Sequence, residues 1–228
     1  MCFCASASFF LGTALLVTGG AALATVLRAR KKNWLPFAAI PIIFGLQQCA
    51  EGIVWIASSQ QRLSGAVLPA SYFFLLCAFV IWPAWIPFSV FLIEPDGKRK
   101  KILFFLKILG FSVSALLLIQ LFSSDIQAMA QGKHMYYLLT PKNALAAFMA
   151  KIMQPAAAQI LCIVVYALAT VMPFMISSWR LMQLFGASTA ISCIATYTIL
   201  NSFFVSVWCF FSAALSVFIV YLACRVKK

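Results

Sequence analysis

The stretch Glu94-Pro95-Asp96-Gly97-Lys98-Arg99-Lys100-Lys101 decides how this chain folds. It joins a Pro-Asp-Gly turn to an unbroken basic run, a combination that no bilayer core accepts. On either side lie apolar runs over 67–93 and 102–122. A membrane-spanning helix needs about 20 predominantly apolar residues, and both runs supply them. The pattern repeats outward from there. Arg28-Ala29-Arg30-Lys31-Lys32 closes an apolar run over 8–27. Pro36 opens the next, over 35–58, at a position where a missing N–H costs nothing. Gly65 and Pro69 mark the entry to 67–93. Beyond residue 122 come three more runs, over 155–177, 181–200 and 202–224. The expected fold is all-α: a polytopic integral membrane protein, one seven-transmembrane-helix bundle filling the whole chain.

Composition agrees. Of the 228 residues, 64% are hydrophobic and 9% are charged, against about 45–50% and about 25% in an ordinary soluble domain. The mean hydropathy is +1.03. One histidine leaves no multi-His metal site, and four acids leave no rich carboxylate cluster. HExxH, GxSxG and Asp-rich motifs are missing, so common intramembrane hydrolases and prenyl-transfer enzymes find no support. The seventh run carries no lysine, which excludes a rhodopsin-type retinal Schiff base.

The 17 basic residues set the orientation. Short loops rich in Lys and Arg stay cytoplasmic. The 28–33 and 94–101 loops, Arg180, the tail residues Arg225, Lys227 and Lys228, and a snorkelling Lys107 place thirteen on one side. Arg62, Lys133, Lys142 and Lys151 place four on the other. Only an odd number of spans puts the tail with the basic loops. The expected topology is therefore N-terminus outside and C-terminus cytoplasmic, with the +13 charge meeting anionic lipid headgroups rather than nucleic acid. The first run lacks a basic leader and carries its positive charges after the apolar segment, as an uncleaved anchor does. The one sizeable outer loop, about 123–154, contains Ala144–Met153 as an interfacial helix or an extension of the fifth span.

Glu51 is the one acid well inside a span. An ionisable group at membrane depth costs about 2.5–3.5 kcal/mol on insertion scales, which makes it a functional candidate facing the bundle interior. Gln47, Gln48 and Trp55 share its helical face, and Gly52 admits close approach of another backbone or a ligand. Glu51 lies about two turns, roughly 10 Å, from the outer end of its helix. Polar residues of other spans gather in the outer half: Tyr72, Gln159, Tyr197 and Asn201 are candidate liners of a polar pocket open to the outside, with Glu51 near its floor. The alternative is a hydrogen-bond knot in which Gln and Glu tie helices together. Pro83, Pro87 and Pro173 bend helices or free backbone carbonyls. Of eight cysteines, five lie within spans as small hydrophobes. Cys2 and Cys4 sit at the outer N-terminus, where they can pair, hold a soft metal such as Cu(I), or act as nucleophiles. His134, Tyr136 and Tyr137 fall in the outer loop, where an aromatic belt explains the tyrosines.

The opening Met-Cys-Phe-Cys-Ala-Ser-Ala-Ser-Phe-Phe resembles a bacterial membrane-protein family that begins MCFSATASF. That family also carries LPFAAxPxxFGxQQxxEGxVW, which reads here from Leu35 to Trp55 with Gln47, Gln48, Glu51 and Gly52 in place. The resemblance covers the first quarter of the chain and implies that Cys2, Gln47, Gln48, Glu51, Gly52 and Trp55 belong to a shared pattern. Cys4 stands where that pattern has serine, which weakens a family-wide Cys-x-Cys metal site. The family supplies no mechanism. It implies a bacterial inner membrane. The expected function is a transporter or channel binding a small polar ligand, ion or proton at Glu51. A seven-helix sensor, or a redox, metal or thiol enzyme using Cys2 near Glu51, are the other two readings. An oligomer is compatible with all three.

Overall fold

The computed structural model describes residues 4–60, 63–132 and 134–225. Twelve α-helices among these residues form a bundle, and one β-hairpin covers an end of it. Five helices are long and apolar enough to cross a membrane: Ala5–Arg28, Lys32–Ser59, Ser64–Ile93, Gly97–Phe122 and Phe204–Cys224. A sixth candidate is a broken one, α7 (Ala144–Ile152) and α8 (Ala156–Thr170), which meet at 96°. The 20-residue helix α10 (Arg180–Ile199) forms where a span is expected, but Gln183, Ser188, Thr189, Ser192, Thr196 and Thr198 interrupt its apolar run and it stands outside that set. By length and composition, five to six of the described helices can cross a membrane.

The helix α1 (Ala5–Arg28) packs antiparallel on α3 (Ile40–Ser59), which follows the short α2 (Leu35–Ala38). Small residues set their distance. A Cβ at Gly12 would stand 2.9 Å from the Gly45 carbonyl oxygen, and one at Gly19 would stand 3.1 Å from Ile42 N. Such stripes let helix backbones approach closely in lipid, where there is no hydrophobic drive between helices. Gly20, one residue on, faces open space. We therefore expect Gly12→Ala to cost about 1–3 kcal/mol through overpacking, whereas Gly20→Ala stays neutral or gains up to about 1 kcal/mol in helix propensity. Thermal unfolding in detergent separates the two; equal melting temperatures would contradict the packing.

The third span is assembled from α4 (Ser64–Leu76), a π-helical turn over Cys77–Ile81, and α5 (Trp82–Ile93). Its prolines explain the register. Pro83 has no N–H, so in π register the Ala78 carbonyl has no helical donor. The Tyr166 hydroxyl of α8 donates to it instead. Ser114, on α6 (Gly97–Phe122), donates to the Val80 carbonyl at 2.7 Å. Lys107, one turn inside the expected span, holds its ammonium 4.5 Å above the Phe91 ring, a cation–π contact of the kind that suits a partly desolvated charge.

The expectation of an all-α chain fails between residues 124 and 141. There β1 (Ser124–Gln131) and β2 (His134–Pro141) pair antiparallel, with Ala128 opposite Tyr137 and Gln131 opposite His134. Gly132, which follows β1, has φ +62°, a conformation that hairpins take from glycine. One face of the hairpin is apolar: Ile126, Tyr137 and Leu139 pack on Phe74, Leu75 and Leu121, and Met135 packs with Val54, Trp55 and Ala70. The hairpin thus lies over the ends of α3 and α4. The helix expected over 144–153 is present as α7, capped by the Asn143 side chain. The fifth span breaks at Val171 into α8 and α9 (Met172–Ile176), where Pro173 begins the new helix. The last span is likewise split, into α11 (Phe204–Leu215) and α12 (Val217–Cys224).

Candidate functional site

Glu51 lies on the part of α3 that the hairpin covers and is only 2% exposed. It faces the bundle interior, as its cost in hydrocarbon demands. Ser206, on α11, donates to Glu51 Oε1 at 2.5 Å. Tyr137 of the hairpin is within electrostatic reach of the carboxyl, and so is Cys209. Among the described residues no cation pairs with Glu51; the ion pair found there is Lys142–Asp125, 3.2 Å long and on the surface.

Gln47 and Gln48 share the face but behave differently. Gln47 is fully committed. Its amide nitrogen donates to the Phe74 carbonyl at 3.2 Å and to Cys209 Sγ at 3.5 Å, and its oxygen accepts from Trp82 Nε1 at 2.8 Å. It ties α3, α4, α5 and α11 together, which is the structural knot weighed above. Gln48 is fully buried, and neither end of its amide has a partner among the described residues. Among the described residues the buried Ser71 and Tyr137 hydroxyls have no partner either. Buried polar atoms are almost always hydrogen-bonded, and the exceptions often mark a bound water, ion or ligand.

The remaining candidates sit elsewhere. Trp55 is half-buried and packs with the cluster under the hairpin. Tyr72 fastens the hairpin: its hydroxyl donates to the Ser124 carbonyl at 3.3 Å and accepts from Lys142 Nζ at 3.2 Å. Gln159 is exposed and donates to the Gln154 carbonyl at 3.2 Å. The Tyr197 ring meets Phe204 edge-on. The Asn201 side chain and Cys2 lie outside what the structure describes. Cys4 Sγ is 3.1 Å from Ser6 Oγ, and no group of three or more potential metal ligands occurs among the described residues. The Phe9 ring packs against Gly52, so a neighbouring helix takes up the close approach that Gly52 permits.

No open pocket around Glu51 stands out among the described residues. Two cavities occur near it, one of about 30 Å³ in the bundle centre and one of about 480 Å³ on its flank. Neither is lined by Glu51. The hairpin closes the end from which access was expected, and a hairpin was not foreseen in that loop.

A second buried carboxylate was not singled out from sequence. Glu94, also 2% exposed, ends α5 in the basic loop. Its Oε1 accepts from Asp96 N at 3.2 Å and from the Ser178 hydroxyl. Its Oε2 accepts from Ser177 Oγ at 3.0 Å and from Ser178 N at 2.9 Å. Arg99 donates to the Ser177 carbonyl at 2.8 Å. Burial works against the Glu94 charge, but the donors of Ser178, Asp96 and Ser177 outweigh it and hold the carboxyl below its usual range. All four bonds are internal, so Glu94 joins two loops and leaves nothing open to a ligand.

Five to six helices long and apolar enough to cross a membrane are what an integral membrane protein of helical class presents. The chain belongs to DUF6629, a family of unknown function whose model matches residues 1–228. No curated protein and no solved structure matches it.

Proposed function

We propose that this is a proton-linked membrane transporter with Glu51 as its proton carrier. The observation that carries the reading is a carboxyl buried to 2% exposure with a serine hydroxyl as partner and, among the described residues, no cation beside it. A lone charge in low dielectric is costly, and such a group holds a proton or a bound cation instead. The sealed surroundings favour the proton, which needs no cavity. Gln48, Ser71 and Tyr137 have unpartnered polar atoms that can relay a proton through ordered water. The hairpin is the part that must lift, or admit water, for Glu51 to exchange with the outside. The transporter has seven spans, α10 being the polar one, with the N-terminus outside and the basic loops on the cytoplasmic face of a bacterial inner membrane. The sensor and thiol-enzyme readings have no comparable observation behind them.

Liposomes containing a trapped pH dye and a potassium-diffusion potential test the proposal. Proton entry should exceed that of empty vesicles by at least an order of magnitude. It should fall to the empty-vesicle level in Glu51→Gln, which preserves shape and removes the exchangeable charge. Undiminished flux in a folded Glu51→Gln protein would refute the role of Glu51.

A further inference from the structure

A sizeable cavity lies away from Glu51. It is a cleft of about 480 Å³ between α6, α8 and α11, in the half of the bundle that carries the hairpin. Its volume falls within the usual range for ligand sites, roughly 300–1,000 Å³. Val113 and Leu117 of α6 form one wall, Leu161 and Val165 of α8 another, and Val205 and Trp208 of α11 the floor.

The shape has a cause. The chain turns by 96° between α7 and α8, at Gln154 and Pro155, and Pro155 takes the cap position of α8. A straight continuation would have run α7 on along the axis of α8. Instead α7 turns away, and its Met149 and Met153 line the cleft with pliable thioethers.

The polar groups on the wall are already satisfied inside the protein. The Tyr166 hydroxyl donates to the Ala78 carbonyl. Trp208 Nε1 donates to the Thr189 carbonyl at 3.3 Å. Cys162 lies 3.5 Å from Met153 sulfur, and Cys209 accepts from Gln47. Nothing there asks for a polar ligand except the single amide of Gln120. The helices on either side present Leu116 and Leu161, 58% and 62% exposed. The mouth therefore opens onto whatever medium surrounds the apolar flank of the bundle, and around membrane-length helices that medium is hydrocarbon. A void of this size among packed helices does not stay empty, because its lining forfeits dispersion contacts.

We propose that the cleft is a binding site for one acyl chain of a membrane phospholipid, entering sideways between α6 and α8. The chain lies against Trp208 and Cys209. These two residues also line the small central cavity, so an occupied cleft supports the wall of the bundle interior.

Brominated acyl chains quench tryptophan on contact, and this reads the site directly. The protein is reconstituted in phosphatidylcholine carrying mid-chain dibromo groups, with unbrominated lipid as reference. Two single-tryptophan variants retain either Trp208, which lines the cleft, or Trp82, which does not; both are buried in the protein (6% and 3% exposed). Trp208 emission should fall at least twofold, and Trp82 emission should hardly change. Should those variants fold poorly, the difference between the wild type and Trp208→Phe isolates the same component. Val113→Phe and Leu117→Phe fill the cleft from α6 and should restore Trp208 emission. Equal quenching of Trp208 and Trp82 overturns the proposal. So does an unquenched Trp208 together with a crosslink between two copies through Cys162, because a second chain then fills the cleft.

Discussion

Gly110→Ala is expected to abolish the folded bundle or to lower its stability by about 3 kcal/mol or more, at or beyond the usual range for overpacking. The reason lies in the prolines of α5. Pro87 lacks an N–H, so the carbonyl of Pro83, four residues earlier, has no helical donor. Gly110 of α6 lies against that oxygen. A Cβ at Gly110 would stand 2.0 Å from the Pro83 oxygen and 2.9 Å from Pro87 Cγ. Carbon and oxygen do not approach to 2.0 Å, and the obstacle is backbone fixed by two rings, not a side chain that can swing away. The helices must separate, and the loss spreads to the neighbouring Ser114–Val80 bond. Melting of the detergent-solubilised variant beside Gly20→Ala, which meets nothing within 4 Å, is the test. A Gly110→Ala protein as stable as the wild type would show that α5 and α6 do not meet in this register.

The prolines illustrate how far the sequence could be read. Their effect, a freed carbonyl, follows from the chemistry of the residue. Which group then uses the carbonyl does not, because Tyr166 and Gly110 lie far away along the chain. The helices over Ala5–Arg28, Gly97–Phe122 and Phe204–Cys224 were legible because charged or polar breaks bound long apolar runs. The burial of Glu51 was legible because a carboxylate in hydrocarbon has few places to go. The hairpin was not. Met135 to Leu139 is an unbroken aromatic and aliphatic run of strand length, and a Gly-Lys pair stands before it at a hairpin position in the sequence. In a membrane protein, however, the same aromatics read equally well as an interfacial belt. The choice between belt and strand depends on Ile126 and Ala128, which look like ordinary loop residues until they pair. The candidate site suffered from this directly: the cover over Glu51 is made by the element that was not foreseen, and Tyr72, expected as a liner, serves to fasten it.

Glu94 gives the second large effect. A Glu-Pro-Asp-Gly sequence looks like an exposed turn, and nothing local announces that Ser177 and Ser178, more than eighty residues on, close around the carboxylate. Glu94→Ala leaves two hydroxyls and two backbone N–H groups without their acceptor. Each buried orphan costs about 1–3 kcal/mol; since water can reach part of a loop, a total near 3–5 kcal/mol is expected, in line with breaking a buried charged network. Glu94→Gln keeps one acceptor oxygen but turns an N–H toward donors, and should lose about half as much. The pH dependence separates this account from simple packing loss. The folded carboxyl titrates below its ordinary value, so the unfolded chain takes up the proton first as pH falls. The stabilisation is complete above the unfolded value, about 4.3, and is lost as pH drops through the lower folded value. Melting curves of wild type and Glu94→Gln should therefore lie apart at pH 7 and converge below about pH 4. Curves that stay parallel as pH falls through the whole carboxylate range would mean that Glu94 acts through its shape and not through its charge.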